Sequence, residues 1–371
     1  MHDAAPEDGI AADLALAASL GFAIDPGTPA RIRRLLAAHP ALDAHCHPGR
    51  FFMRGTDVPD PSVSFFAAEE GGLERSLADM RAGGLCAACF ALVTDMRSLV
   101  LTAEGGLRAA RALQPDELVT DTRRQLGEFD RVLAQERVSF ARTAAEVRAN
   151  HREGRISAIL TAEGGDFLEG RFERLGEARM QGMRSITICH YRVNEIGDIQ
   201  TEPPVHGGLS DFGAQLVREM NAAGLIVDLA HASFDTARRA VELATAPVMV
   251  SHSHLQPDSG GHPRLLSVEH ARMIAGTGGV IGAWPAGVVQ RSLGDYADEI
   301  LRLIDAAGVD HVCLGTDMDA NYRPVFDNYR QLPLVLALLA QRGLADAELI
   351  KVMGGNFLRV LAACETGAAN R

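Results

Sequence analysis

Eight short, near-continuous apolar runs separated by amphipathic stretches predict a (β/α)8 barrel for this 371-residue chain. Strands buried on both faces of a parallel sheet read as unbroken apolar runs, and the helices between them cover the sheet. Eight strands favour closure into a barrel over an open doubly wound sheet. No G-x-G-x-x-G turn follows the first run, which also speaks against a dinucleotide-binding sheet.

In chain order, residues 1–40 form an Ala/Leu-rich helical extension, and residues 41–371 form the single barrel domain. The strands fall at Leu42–His47, Cys86–Val93, Ile156–Glu163 and Ser185–His190, then Leu225–His231, Val248–His252, Gly279–Trp284 and Val312–Asp317. Helix-like stretches lie between them at Leu73–Ala82, Arg171–Gln181, Asp211–Ala223, Phe234–Ala244, Ser267–Ala275 and Asp295–Ala307. Ser210 and Ser267 are placed to cap helix N-termini, and Gly224 and Gly276 to stop helices. The segment from about 97 to 154 is too long for a simple crossover and is expected to form a helical excursion.

Composition narrows the function classes. A formal charge of −12 argues against nucleic acid or an anionic membrane as partner. The acidic start lacks a basic n-region and no run of eighteen uncharged apolar residues occurs, so a cytoplasmic protein is expected. Five of the six cysteines lie in apolar runs, where a thiol behaves as a small hydrophobe. Cys86-x-x-Cys89 lies at a strand and has no second pair to complete a zinc site.

The strand ends carry the chemistry. The first ends in His45-Cys46-His47-Pro48-Gly49, two imidazoles on one side of a strand at a sharp turn. The third ends in Glu163, the fourth in His190, the fifth in His231, the sixth in His252 and the eighth in Asp317. In a parallel barrel all these ends open on the face that holds the active site. So many imidazoles exceed what one catalytic zinc with an open position needs, but suit two ions sharing a bridging carboxylate. Lys351 is the only lysine and lies in the C-terminal helical region, which leaves Glu163 as the bridge.

These residues sit in ordered motifs from about Asp43 to Leu361: Asp43-Ala-His45, Ala162-Glu163-Gly164, Ile188-Cys-His190-Tyr-Arg-Val-Asn194-Glu195 and Val227-Asp-Leu-Ala-His231. They continue with Val250-Ser-His252-Ser, His262-Pro263-Arg264, Leu314-Gly-Thr-Asp317-Met-Asp319 and Gly354-Gly-Asn356-Phe. The pattern resembles the membrane dipeptidase (renal dipeptidase-like) family of the amidohydrolase superfamily. The resemblance implies two divalent ions, zinc above all. His45 and His47 would hold one, His231 and His252 the other, and Glu163 would bridge. It implies cleavage of a dipeptide or dipeptide-like amide by a hydroxide bridging the metals. His190 would stabilise the oxyanion and contact substrate, Asp317 would carry the proton and Arg264 would bind the substrate carboxylate. Asp319 is the alternative to Asp317, and a homodimer is the assembly that the family suggests.

The chain departs from the family at residue 47, where the dipeptidases usually carry Asp, and at Leu265 and Ala320, where Asn and Gly are usual. These departures leave two alternatives beside the dipeptidase. One is an amidohydrolase acting on a lactam, an N-acyl amino acid or a specialised metabolite. The other is a non-catalytic metal-binding relative.

Overall fold

The computed structural model describes residues 6–56, 60–103, 105–134, 138–257 and 260–369. Its strands are β1 (Leu42–Cys46), β2 (Ala87–Val93), β3 (Leu99–Leu101), β4 (Leu107–Ala109), β5 (Val138–Phe140) and β6 (Ile156–Glu163). They continue with β7 (Ser185–Thr187), β8 (Ile226–Asp228), β9 (Met249–Ser253), β10 (Val280–Ala283) and β11 (Val312–Leu314). Pairing runs β1, β2, β6, β7, β8, β9, β10, β11 and back to β1, all parallel, so eight strands close a barrel. Helices cover its outside, as the alternation predicts.

Three features depart from the sequence expectation. Several strands leave the ladder before the candidate site residue that follows them: β7 ends three residues short of His190, β8 three short of His231 and β11 three short of Asp317. The 97–154 excursion is not purely helical, and residues 104 and 135–137 of it lie outside the described ones. Beside the helices Glu117–Leu133 and Ala144–Arg152 it holds the β3–β4 hairpin and β5. β5 pairs with residues 156–158 of β6, whose upper residues 161–163 pair with β7, so both stretches find ladder partners. Finally, Lys351 opens a π-helical turn, and its Nζ meets Asp310 Oδ1 at 2.6 Å on the outer surface.

Close approach of backbones shapes the barrel interior. A Cβ on Gly282 would lie 1.8 Å from Ser251 O, and one on Gly315 would lie 1.9 Å from the same atom. Only glycine lets β10 and β11 pass so near the strand that carries His252. The opposite mouth is plugged by Phe357, Leu358 and Leu361 of the helix Asn356–Ala369, packed on Leu42, Ala87, Ile226 and Val280. Outside the barrel, Ser210 accepts from Gly213 N and Ser267 from His270 N, as expected of caps.

Buried histidines such as His270 make stability depend on acid. His270 is 3% exposed, its Nε2 has no partner, and its ring packs 5.5 Å from Phe234. Burial pushes its pKa down to about 4. The unfolded chain takes up this proton below about pH 6.5 while the folded chain refuses it, so stability is full above 6.5 and falls toward pH 4. The loss amounts to about 3 kcal/mol. Urea unfolding at pH 7 and 4.5 is expected to show a smaller acid loss for His270→Leu than for the wild type. An equal loss in both would remove His270 as the cause.

Candidate metal centre

Six side chains converge on the C-terminal rim around Glu163, which ends β6. Glu163 Oε1 lies 3.4 Å from His45 Nε2, 3.1 Å from His231 Nε2, and 3.5 Å from both His190 Nε2 and His252 Nε2. Its Oε2 lies 3.4 Å from His47 Nε2, which is itself 3.3 Å from Asp317 Oδ1. None of the five histidines or Glu163 is more than 6% exposed. All seven strand-end residues expected from the sequence therefore come together at one place.

Local backbone explains the convergence. His45 and His47 are two apart, so their rings leave β1 on one side. His47 Nδ1 donates to Ala91 O at 3.1 Å, which turns Nε2 toward Glu163. His231 and Asp317 adopt left-handed conformations, with φ of 64° and 56°. Such strain in non-glycine residues persists where the surroundings enforce it, commonly at functional sites. His252 Nδ1 is paired with Ser251 Oγ at 3.0 Å, which leaves Nε2 for the niche.

Electrostatics divides the histidines into two kinds. Burial, reinforced by the Arg264 guanidinium and neighbouring imidazoles, holds His231 and His252 well below the usual range, so both stay neutral. Burial also opposes charge on His47 and His190. The carboxylates of Asp317 and Glu163 nevertheless raise His47 to about 10, and Asp95 with Glu163 raises His190 to about 9. Burial disfavours charge on Glu163 too, but His190 and His45 hold it ionised.

The residues fit a metal. The buried Nε2 atoms of His45 and His47 make no well-aligned hydrogen bond and face only carboxylate oxygens of Glu163 and Asp317 at 3.3–3.4 Å, an arrangement that a cation would satisfy. Neutral imidazoles and carboxylates are the donors that zinc and its neighbours accept. Three groups have ligand atoms close enough to share an ion: His45–Glu163–His252, His45–His47–Asp317 and Glu163–His190–His231. A cation at His47 Nε2 competes with the proton there, so uptake releases it.

Arg264 is 2% exposed, with Nη2 2.9 Å from His252 Nε2, Nη1 donating to Gln200 Oε1 at 3.0 Å, and Cζ 5.3 Å from the Trp284 ring centroid. Asp319 points elsewhere: its Oδ2 accepts from Gly49 N at 2.6 Å and from Ser76 Oγ.

Two residues escaped the sequence reading. Asp95 Oδ1 holds His190 Nδ1 at 2.7 Å and Oδ2 accepts from Tyr191 N at 3.1 Å. It sits just past β2, so the strand-end rule used for the other strands would have found it. Gln200, which holds Arg264, lies in the loop after β7 and carries no sequence signal. The Cys86-x-x-Cys89 thiols are both free.

Fold and niche together define a (β/α)8 barrel whose rim gathers histidine and carboxylate side chains that fit a metal. The chain belongs to the membrane dipeptidase family (peptidase family M19), whose model matches residues 29–371. It is 32% identical over 237 residues to Dipeptidase verJ of Clonostachys rogersoniana, covering 62% of this chain and 61% of that protein. It is 34% identical over 262 residues to Dipeptidase aclJ of Aspergillus oryzae, covering 66% of this chain and 61% of the relative. The match thus spans 61% of the length of each of these relatives.

Among solved structures, the probable dipeptidase PvdM from Pseudomonas aeruginosa superposes with a TM-score of 0.73 at 18% identity, over 92% of this chain and 99% of its own. A metallo peptidase from Rhodobacter sphaeroides, liganded with a phosphinate mimic of the dipeptide L-Ala-D-Ala, gives 0.69 at 22% identity, over 88% and 99%. At these identities the likeness establishes the fold.

Proposed function

We propose that the protein is a metal-dependent, dipeptidase-like hydrolase that cleaves the amide bond of a dipeptide or dipeptide-like substrate with a free carboxylate. The observation that carries this reading is Glu163 at the centre of four imidazole Nε2 atoms within 3.5 Å of one carboxylate oxygen. His45 and His47 would hold one ion, His231 and His252 the other, with Glu163 between them. When bound, the ions supply Lewis acidity toward the carbonyl and lower the pKa of water.

The chain's own groups do the rest. His190, oriented through Nδ1 by Asp95, presents Nε2 to the carbonyl oxygen, where charge develops as the amide is attacked. Asp317, at the rim of the niche, takes a proton from the nucleophile and returns it to the leaving amine. Arg264 exchanges its contact with His252 for a bidentate pair with the substrate carboxylate. Turnover of a panel of L-L, L-D and N-acylated substrates by metal-loaded protein tests the proposal; no cleavage of any free dipeptide would overturn it.

Arg264→Ala is expected to raise KM for carboxylate-bearing substrates about 10- to 150-fold, the equivalent of a charge-assisted hydrogen bond of about 1.5–3 kcal/mol. Their amidated counterparts should lose much less. Equal losses would take that role from Arg264.

A second substrate class, N-acyl amino acids and other non-dipeptide amides, would extend past Gln200, the partner of Arg264, into a cleft of about 480 Å³ lined by Ile199, Phe234, Pro263 and Leu265 together with Asp198, Asp235 and Glu269. Zinc is the proposed ion because imidazole and carboxylate ligands suit it. The six free thiols support a reducing, cytoplasmic setting, and among the described residues no helix is long and apolar enough to cross a membrane. A homodimer is the proposed assembly by family analogy, tested by sedimentation.

A further inference from the structure

Two of the barrel's eight seams are thin. β1 and β11 share one registered pair, Asp43 with Leu314, and past it an isolated bridge of Cys46 with Met318, while β8 and β9 share one pair, Asp228 with Met249. The other six seams each carry at least three. In both thin seams the registered residue is an aspartate, and both aspartates are at most 1% exposed.

Each carboxylate supplements the short ladder of its seam. Asp43 Oδ1 accepts from His45 N on its own strand and from Thr316 N across the seam, both at 3.0 Å. Asp228 Oδ1 accepts from Ala230 N at 3.1 Å and from Ser251 N across its seam at 2.9 Å. The four N–H groups share one property. They belong to His45 or directly precede Asp317, His231 and His252. The second oxygens take hydroxyls: Thr316 Oγ1 and Tyr329 Oη on Asp43, and Thr187 Oγ1 on Asp228. Two of the residues so fixed, Asp317 and His231, are the left-handed ones.

We propose that Asp43 and Asp228 are a matched pair of positioning residues that build the niche as two separately held halves. Asp43 holds the half made by His45, His47 and Asp317, and Asp228 holds the half made by His231 and His252. Backbone bonds within the first half agree with this: Asp317 N donates to His45 O, and His47 N to Met318 O, each at 2.9 Å. Glu163 is the member common to both. The inference rests on the two-ion reading above.

Zinc affinity, measured by chelator competition on the full chain, tests it. Asp43→Ala should weaken one of two zinc sites by about 10–100-fold, as loss of a group that orients ligands does. It should add nothing to His47→Ala, which empties the same half, and its full effect to His252→Ala. Asp228→Ala should behave in mirror image. Asp43→Asn keeps an oxygen on both N–H groups, and its amide can donate to the Thr316 and Tyr329 hydroxyls, so it should retain both sites. That variant also serves if the alanine protein does not fold. Equal weakening of both sites by either alanine variant, or loss of a site in Asp43→Asn, would overturn the proposal. A wild type that binds no zinc would instead overturn the two-ion reading.

Discussion

Glu163→Ala is expected to abolish turnover and bound metal together. Glu163 is the one side chain within 3.5 Å of all five niche histidines, so its removal takes a ligand from both halves. It also takes away the negative charge at the centre, leaving imidazoles facing one another; His231 and His252 already sit with Nε2 atoms 3.1 Å apart. Loss of metal removes several kcal/mol of transition-state stabilisation, which is about 10³–10⁴-fold in rate. Measuring kcat/KM together with metal per chain checks this. A Glu163→Ala protein that keeps its full metal content would refute the bridging role.

The second large effect is expected at Asp317. Asp317→Asn keeps the shape of the side chain and removes its capacity to carry a proton. The rate should fall by about 10²–10⁴-fold, the range for a positioned acid–base group, with the fall in kcat and little change in KM. Asp319→Asn is the informative control. Its carboxylate is spent on Gly49 N, in the turn that follows His47, and on Ser76 Oγ of the helix Gly72–Gly83. It should therefore cost less than Asp317→Asn and show itself in stability. The reverse order of kcat values would exchange the two assignments.

The barrel was legible in the sequence because a strand buried on both faces has few polar positions to blur it. Ile156–Glu163 reads as a strand of the length observed. The ends of others were read too long for a definite reason. His190, His231 and Asp317 lie past the last ladder residue, where the chain turns inward, and apolar pattern carries no trace of that turn. β3, β4 and β5 were missed because three residues, some of them polar or charged, such as Leu107–Ala109, hold too little periodicity to register.

The candidate site was legible for a different reason. Ligand residues cannot be replaced by apolar ones, so His and Glu at the ends of apolar runs stand out. The groups that orient them stand out less. Asp95, two residues past β2, was open to the same strand-end rule, but Gln200 was not, because its bond to Arg264 exists only once distant loops are brought together. Asp43 and Asp228 are intermediate. Each lies in a motif the sequence displays, yet the seam it spans appears only with the sheet closed.

The central claim is that Glu163 joins two metal positions. Anomalous diffraction at the zinc edge, on crystals of metal-loaded protein, tests it most directly. The account predicts two peaks flanking Glu163, one about 2.0–2.2 Å from the Nε2 atoms of His45 and His47 and the other at that distance from His231 and His252. A map with no peak beside Glu163, or with zinc held elsewhere on the chain, would contradict it.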